Sequence, residues 1–158
     1  MIKVAILTVS DSCAKQQRED RSGPAVKEML SAQGLEVCQE KIVPDDQDTI
    51  VKALVRFCDE GGHDVVFTTG GTGLGPRDVT PEATASVCER IVPGFAEAMR
   101  IEGLKRTPNA ILSRAVAGIR GKTLIINLPG SPRAVRECLA LVVGVLPHAM
   151  EMMRGGGH

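Results

Sequence analysis

The residues best suited to chemistry follow a predicted strand, residues 64–67, in the middle of the chain. Four of the six residues from 70 to 75 are glycines, and Arg77 and Asp78 come shortly after them. Thr80-Pro81-Glu82 then has the composition of a helix start, with Thr80 predicted as the N-cap. Glycines leave backbone N–H groups open to close approach by a ligand, and a helix N-terminus attracts anions. The stretch therefore predicts an anion site at the carboxyl edge of a sheet.

The spacing of the glycines excludes the two common nucleotide loops. Gly71, Gly73 and Pro76 stand at the three positions of the dinucleotide fingerprint, so its third glycine is missing. No Lys-Ser or Lys-Thr pair follows Gly75, so the loop is not of the Walker A type. A glycine-rich turn without a ligand remains the alternative, although four glycines lose much backbone entropy for a turn alone.

Charged side chains accompany the loop in a pattern that favours metal and phosphate chemistry. Asp78 is predicted to hold Mg²⁺ against nucleotide phosphates or to orient a hydroxyl nucleophile; the alternative is a turn aspartate that bonds its own backbone. Asp45 and Asp46 follow the second predicted strand and reach the same edge of a doubly wound sheet, with helix capping as their alternative. Arg77 and Arg133 are candidates for phosphate contacts, or else ordinary surface arginines.

No side chain has the setting of a covalent nucleophile. His63 and His148 have no partner at ligand spacing, and the serines at positions 10, 12 and 131 lack a nucleophile elbow. The five cysteines lie far apart without C-x-x-C spacing, which excludes a zinc cluster and predicts reduced, mostly buried thiols. The remaining chemistry is the positioning of phosphates with a metal ion, as in phosphoryl and nucleotidyl transfer.

Composition argues against several classes of partner. The 158 residues carry 19 basic and 19 acidic side chains, so no overall charge indicates binding to nucleic acid or to a membrane surface. Three phenylalanines are the only aromatic residues, too few for a base-stacking platform. The chain starts in a strand pattern without a leader, and no apolar run approaches the ~20 residues of a membrane span. We therefore expect a cytoplasmic protein.

Strands and helices alternate along the sequence and must position these residues. Apolar, β-rich runs predict strands at 2–9, 35–43, 64–67 and 123–128, with 114–119 as a possible edge strand. Helical spacing predicts helices at 23–34, 48–60, 81–90, 95–105, 108–113 and 132–153, the last kinked at Pro147. The pattern predicts an α/β fold, a three-layer αβα sandwich on a mostly parallel, Rossmann-like sheet. Residues 1–154 form one predicted domain, and 155–158 a flexible tail.

Two other predicted strands also end in residues that leave room for a ligand. Ser10 and Asp11 follow the first strand. Gly130 frees the backbone after the last strand, and Ser131 is the predicted N-cap of the helix that Pro132 begins. Because the carboxyl ends of parallel strands meet at one edge of a sheet, these residues are expected beside the glycine loop.

Several motifs along nearly the whole chain carry a family resemblance. They are Thr8-Val9-Ser10-Asp11-Ser12, Asp20-Arg21-Ser22-Gly23, Thr69-Gly70-Gly71-Thr72-Gly73, Pro76-Arg77-Asp78-Val79-Thr80-Pro81-Glu82, Ser113-Arg114, Ala117-Gly118 and Leu128-Pro129-Gly130-Ser131-Pro132. Together they resemble the MogA/MoaB-type molybdenum cofactor biosynthesis family, which includes the gephyrin G domain. The glycine loop by itself would not be specific.

The resemblance implies a molybdopterin adenylyltransferase. Such an enzyme transfers AMP from its co-substrate ATP, with Mg²⁺, to the terminal phosphate of molybdopterin and releases pyrophosphate. The family's two important acidic positions fall on Asp45 and Asp78, the implied catalytic residues and Mg²⁺ ligands. Contacts to the pterin or the nucleotide are implied for Ser10, Asp11, Gly70, Gly71, Thr72, Gly73, Gly130 and Ser131.

The resemblance also implies partners and one alternative. Members of the family are typically homotrimers, and the predicted final helix is apolar enough to suit an interface. The molybdotransferase that acts next is a possible partner. Some MoaB-type members share most of the motifs without an assigned adenylylation, so a non-catalytic molybdopterin-binding or scaffold protein is the alternative function.

Overall fold

A six-stranded sheet forms the middle layer of the structure, a computed structural model that describes residues 1–156. In chain order the strands are β1 (Lys3–Val9), β2 (Glu36–Val43), β3 (Val65–Thr69), β4 (Arg90–Ile91), β5 (Ala117–Arg120) and β6 (Thr123–Leu128). Across the sheet they stand in the order β2-β1-β3-β6-β5-β4. Strands β2, β1, β3 and β6 run parallel to one another, and β5 pairs antiparallel with both β6 and β4. The predicted α/β fold on a mostly parallel sheet is confirmed.

Helices cover both faces of this sheet. They are α1 (Asp11–Ala14), α2 (Ser22–Ala32), α3 (Gln47–Asp59), α4 (Thr80–Val87), α5 (Pro93–Leu104), α6 (Pro132–Val142) and α7 (Leu146–Met153). Short 3₁₀ helices span Pro108–Leu112 and Val143–Val145. One core holds residues of α2, α5, α6 and α7, and the other holds residues of α3 and α4. The arrangement is the predicted three-layer sandwich.

The central strands are apolar throughout because both of their faces are covered. Val4 and Ile6 of β1 lie in the core with α2, whereas Ala5 and Leu7 lie in the core with α3. Successive side chains of a strand point to opposite faces, so a strand between two helical layers needs apolar residues at every position. The uninterrupted apolar run at the start of the chain is explained by this double burial.

The order of the strands places a crevice at the carboxyl end of β1 and β3. The chain passes from β1 to β2 on one side, then crosses to β3 on the other side of β1. Such a reversal of strand order leaves a crevice beyond the strand ends, where α/β proteins bind ligands. The segments that begin at Ser10 and at Gly70 both leave the sheet at this point.

Two predictions of strands were incomplete. β5 lies between β6 and β4, so the segment predicted as a possible edge strand is internal to the sheet. The edge is β4, a two-residue strand that carries no readable periodicity.

The helix predicted to reach residue 90 is shorter in the structure. It ends at Val87, and the next residue, Cys88, has an extended backbone with ψ of 135°.

The final helix breaks before Pro147, the residue at which the sequence predicts a kink. The α-helical path ends at Val142, a 3₁₀ turn follows, and α7 carries Pro147 in its first turn. Proline has no N–H to bond the carbonyl of Val143, four residues before it, so the α-helical ladder fails at that residue. The apolar residues of α6 and α7 mostly face this chain's own core, among them Leu139, Leu146 and Met150.

The end of the described chain closes α7. The backbone N–H groups of Gly155 and Gly156 donate to the carbonyls of Met152 and Glu151 at 3.0 Å. The predicted tail begins within this turn, and its residues 157–158 lie outside the described residues. Within residues 1–156, no helix is both long and apolar enough to cross a membrane.

Candidate functional site: a glycine loop flanked by three aspartates

The glycine loop leaves β3 in a conformation that favours glycine. Gly70 and Gly71 have φ of 97° and 69°, in the left-handed region. A side chain at Gly70 would overlap the carbonyl oxygen of Val9, and one at Gly71 would overlap the hydroxyl of Thr80. The loop is thus packed directly against β1 and the start of α4, with no room for a Cβ at either glycine.

Thr80 anchors the loop, which corrects its predicted role as a helix N-cap. Val79 stands at the cap position and makes no side-chain cap bond. The Thr80 hydroxyl donates to the carbonyl of Gly70 at 3.0 Å, and the Thr80 N–H donates to the carbonyl of Gly71 at 3.1 Å. Both groups bond loop carbonyls, and that of the buried Gly70 would otherwise have no partner.

The loop presents a row of unpaired donors. Within residues 1–156, the backbone N–H groups of Gly71, Thr72, Gly73 and Leu74 donate to no protein acceptor. Consecutive N–H groups that follow a left-handed residue form a concave nest that binds anions. The loop therefore has the donors that a phosphate group requires, at the crevice where the strand order reverses.

Asp11 and Asp45 bridge the two segments that enclose this loop. The N–H of Asp11 donates to Oδ2 of Asp45 at 2.8 Å, and the N–H of Asp45 donates to Oδ1 of Asp11 at 3.0 Å. The guanidinium of Arg77 binds both carboxylate oxygens of Asp11, at 2.9 and 3.0 Å. This contact lowers the pKa of Asp11, so its carboxylate is fully ionised at neutral pH.

Asp45 keeps one carboxylate oxygen free of protein donors and faces the loop with it. Oδ1 lies about 3.1 Å from where a Cβ on Gly71 would stand, and within residues 1–156 it accepts no hydrogen bond. Partial burial raises the pKa of Asp45, and the nearby carboxylates of Asp11 and Asp78 raise it further. The N–H of Asp11 and the charge of Arg77 act in the opposite direction. A positive charge at Oδ1 would relieve this repulsion.

Asp78 folds back over the loop from its other end. Its Oδ2 accepts the N–H of Gly75 at 2.9 Å, which is the turn-aspartate role considered from the sequence. Added Cβ atoms on Gly73 and Gly75 would come within 2.9 and 2.8 Å of the same oxygen. Oδ1 of Asp78 accepts no hydrogen bond from residues 1–156. Asp78 thus orders the loop with one oxygen and leaves the other available.

The available oxygens fit a Mg²⁺ ion that is held mainly by substrate. Mg²⁺ prefers hard oxygen ligands and is commonly bound by one or two carboxylates together with phosphates. Oδ1 of Asp45 and Oδ1 of Asp78 flank the same loop, whereas both oxygens of Asp11 are engaged. Within the described residues, no group of three or more His, Cys, Asp or Glu side chains is arranged to hold a metal ion alone.

A polar cavity of about 170 Å³ adjoins the loop on the side of β6. Ser10, Gly70 and Gly130 line it, and a Cβ on Gly130 would stand 3.4 Å from the Cα of Gly70. Ser131 lies outside the cavity lining, and its hydroxyl caps α6 by accepting the N–H of Ala134 at 3.2 Å. The predicted cap is confirmed, and the structure brings Ser10 and Gly130, but not Ser131, into this cavity.

Other candidate groups have structural partners away from the crevice. Asp46 caps α3 by accepting the N–H of Thr49 at 3.0 Å, the capping alternative weighed from the sequence. Arg133 is largely exposed and pairs with Glu137 one helical turn away at 3.2 Å. Both oxygens of Asp11 accept hydrogen bonds from Arg77 or Asp45, and its predicted contact with substrate stays a prediction.

Burial makes three of the five cysteine thiols unreactive. All five are free; four are half-buried and Cys38 is exposed, so they are less buried than predicted. Burial raises the pKa of Cys58 to about 12 and the pKa values of Cys88 and Cys138 to about 11. These three thiols are protonated at neutral pH and are poor nucleophiles.

Two residues of the site, Asp20 and Arg114, lie in motifs that carry the family resemblance but received no predicted role. Asp20, in a segment read as loop, accepts hydrogen bonds from the Thr8 hydroxyl at 2.8 Å and the Gly23 N–H at 3.1 Å, and it lines the polar cavity. Arg114 binds the glycine loop from the segment before β5. Neither residue belongs to a periodic pattern, and each acts across a sequence separation that spacing does not reveal.

Comparison with known proteins shows which family this chain resembles. The family model described as a probable molybdopterin binding domain matches residues 5–148. A Helicobacter pylori protein named molybdopterin adenylyltransferase is 48% identical over 156 residues, which cover 98% of this chain and 89% of that protein. A Synechococcus elongatus protein named molybdenum cofactor biosynthesis bifunctional protein is 39% identical, with 97% of this chain and 48% of that protein covered.

A solved structure shares the whole fold. The molybdopterin biosynthesis enzyme MoaB from Thermus thermophilus superimposes with a TM-score of 0.92 at 50% identity, and the match covers 98% of each chain. The family model spans most of the residues that build the crevice, and the relatives extend along nearly the full length. This chain belongs to the MogA/MoaB-type family of molybdenum cofactor biosynthesis proteins.

Proposed function

We propose that this protein is a molybdopterin adenylyltransferase, which transfers AMP from Mg-ATP to the terminal phosphate of molybdopterin and releases pyrophosphate. The observation that carries the proposal is the convergence of four unpaired backbone N–H groups with the free oxygens of Asp45 and Asp78. Donors for phosphate and ligands for a metal ion are the parts that nucleotidyl transfer needs. The Helicobacter pylori relative carries the same activity in its name.

The residues of the loop bind and orient the phosphates of the nucleotide. The N–H groups of Gly71, Thr72, Gly73 and Leu74 hold phosphate oxygens, and this row of donors replaces their water shell. Asp45 and Asp78 would hold Mg²⁺, which would supply positive charge against the nucleotide phosphates. A phosphate oxygen of molybdopterin forms a bond to the α-phosphorus while the bond to pyrophosphate breaks, so no side-chain nucleophile is required.

The pterin is assigned to the polar cavity beside the loop. Ser10, Asp20 and Gly130 line this cavity, and Arg18, Glu19 and Arg21 add charges of both signs to its lining. A pterin ring has many hydrogen-bonding edges, which such side chains and the exposed backbone of Gly130 can satisfy. This placement sets the molybdopterin phosphate beside the loop that holds the nucleotide.

Assembly and location complete the proposal. The family resemblance supports a homotrimer, and an exposed apolar surface around α5 is a candidate interface, with Ile101 and Ile111 64% and 63% exposed. The Synechococcus relative, named as bifunctional and about twice as long, supports a molybdotransferase as the partner that takes the product. A reaction that consumes ATP fits a cytoplasmic protein. Mass measurement of the purified protein in solution tests the trimer.

A non-catalytic molybdopterin-binding protein is the second candidate function. The Thermus thermophilus structure, 50% identical, is named MoaB, the branch for which the sequence left this alternative open. Both candidates bind molybdopterin, and only the first consumes ATP. Purified protein is incubated with molybdopterin and Mg-ATP, and the pterin is analysed by mass spectrometry. Adenylylated pterin supports the enzyme; binding without product in the presence of Mg²⁺ supports the binding protein.

A further inference from the structure

Arg114 contacts the glycine loop at more points than any predicted site residue does. Its backbone N–H donates to the carbonyl of Thr72 at 2.9 Å. Its Nε donates to the carbonyl of Gly73 at 2.8 Å, and its Nη2 donates to the carbonyl of Asp78 at 2.6 Å. One residue therefore fixes both ends of the segment 73–78.

The guanidinium is itself held in place. Its Nη1 binds the carboxylate of Glu82 in the first turn of α4, and this contact lowers the pKa of Glu82. The pair is charge-neutral, and Arg114 directs its donors at backbone carbonyls. Arg114 thus acts on the loop through the fixed positions of its guanidinium N–H donors and not through a net charge.

The contacts of Arg114 determine which way the loop donors point. Within residues 1–156 no peptide bond is cis, and across a trans peptide the carbonyl of one residue and the N–H of the next point in opposite directions. The backbone N–H of Arg114 holds the carbonyl of Thr72 and its side chain holds that of Gly73, so the N–H groups of Gly73 and Leu74 face away from Arg114, and the orientation of the Leu74 N–H depends on the side chain. Those two groups belong to the row of unpaired donors.

We propose that Arg114 is a positioning residue for adenylyl transfer, one that orients the phosphate-binding N–H groups of the loop and the backbone of Asp78. This inference rests on the proposed function. Arg114 touches neither substrate nor metal in this account. Its guanidinium donors hold the carbonyls of Gly73 and Asp78, which are five residues apart along the chain, in fixed positions relative to each other.

Arg120 is a matched control within the same chain. It pairs with the carboxylate of Asp59 and donates to one backbone carbonyl, that of Val87. Its side chain is 27% exposed, against 35% for Arg114. It stands at the far end of β5 and contacts no residue of the crevice. Loss of Arg120 removes a comparable set of contacts without disturbing the loop.

The test compares Arg114→Gln, Arg114→Lys, Glu82→Gln and Arg120→Gln for Tm, for kcat and KM with ATP, and for the affinity of Mg-pyrophosphate by calorimetry. Arg114→Gln and Arg114→Lys are expected to lower kcat/KM and pyrophosphate affinity by about tenfold or more, because a misplaced donor row binds phosphate weakly. Lysine keeps the charge but cannot place two fixed donors. Glu82→Gln keeps an oxygen that can accept from Nη1 and is expected to lose less than Arg114→Gln, whereas Arg120→Gln is expected to stay within about threefold of the wild type.

The outcomes separate this inference from the proposed function. Pyrophosphate affinity unchanged in Arg114→Gln, or fully restored in Arg114→Lys, would overturn the positioning role. Equal losses in Arg114→Gln and Arg120→Gln would also overturn it, because the effect would then reflect general destabilisation. A wild-type protein that binds pyrophosphate without turnover would contradict the proposed function, while the pyrophosphate affinities of the variants would still decide the role of Arg114.

Discussion

Asp11 and Asp45 hold each other by a reciprocal exchange in which the backbone N–H of each donates to the carboxylate of the other, at 2.8 and 3.0 Å. The exchange ties the end of β1 to the end of β2, and Arg77 extends it to the glycine loop through both oxygens of Asp11. Three segments that are distant in sequence are thereby fixed around one crevice. Because Asp11 helps to hold Asp45, we expect Asp11 to affect the proposed metal site although it is not one of its ligands.

Substitution of Asp11 tests this dependence. Asp11→Ala removes the acceptor for the Asp45 N–H and the partner of Arg77, so we expect kcat to fall by about tenfold or more. Asp11→Asn keeps an oxygen for the Asp45 N–H and should fall by about threefold or less. Adenylylation rates and Tm are measured for both. Asp59→Ala is the control, because Asp59 binds Arg120 in the same two-point manner far from the crevice. Equal activity of Asp11→Ala and Asp59→Ala would contradict the dependence.

The pH dependence of nucleotide binding reports on Asp45. Its pKa is raised, so Mg-ATP affinity should begin to fall at a pH above the usual range of an aspartate as the solution is acidified. Arg77→Gln removes a positive charge that lowers this pKa, and should therefore raise the pH at which Mg-ATP affinity begins to fall. Asp78→Glu keeps the negative charge near Asp45, so the pH at which affinity begins to fall should stay close to that of the wild type. The affinity is followed by calorimetry across the acid range. If the affinity of Arg77→Gln began to fall at a lower pH than that of the wild type, the result would contradict the effect of Arg77 on the pKa of Asp45.

The raised pKa also predicts a conflict between stability and activity at Asp45. A carboxyl group whose pKa is higher in the folded state destabilises the protein above that pKa, and the effect is absent below the unfolded pKa. Asp45→Asn keeps an oxygen for the Asp11 N–H, so we expect its Tm at neutral pH to exceed that of the wild type, with little turnover. The difference should vanish in acid. Thermal unfolding at several pH values measures it, and a lower Tm at neutral pH would contradict the prediction.

Gly71 is predicted to be required for its lack of a Cβ as well as for its φ. Gly71→Ala should cost about 1–2 kcal/mol for the left-handed conformation and, in addition, displace Thr80 and crowd Oδ1 of Asp45. Gly34→Ala has a similar φ of 74° with nothing within 4 Å, so it should show the conformational cost alone. Denaturant unfolding and adenylylation rates are compared. Full activity of Gly71→Ala would mean that the loop does not hold the nucleotide in this conformation.

Sequence reasoning located the crevice because its main signals are local. The run of glycines, Asp78 beside it and Asp45 after the preceding strand are all readable along the chain. The rule that parallel strand ends meet at one edge then brings them together. The double burial of β1 and β6 likewise leaves a continuous apolar run, so both strands could be placed to within a residue.

The parts that escaped prediction depend on contacts between distant segments. Arg114 reaches Gly73 across 41 positions and Asp78 across 36, and no spacing rule connects them. Thr80 has the sequence context of a helix cap, but the buried carbonyl of Gly70 offers its hydroxyl a better partner. The two-residue strand β4 is too short for any periodicity to show.

The central claim is that Asp45, Asp78 and the glycine loop carry an adenylyl transfer, and a single-turnover experiment tests it most directly. Enzyme in excess is mixed with molybdopterin and Mg-ATP labelled at the α-phosphate, with the wild type and Asp78→Asn compared. We expect label on the pterin with the wild type only, and molybdopterin affinity within about twofold for the two proteins, since Asp78 lies outside the pterin cavity. Equal labelling by Asp78→Asn, or none by the wild type, would contradict the account.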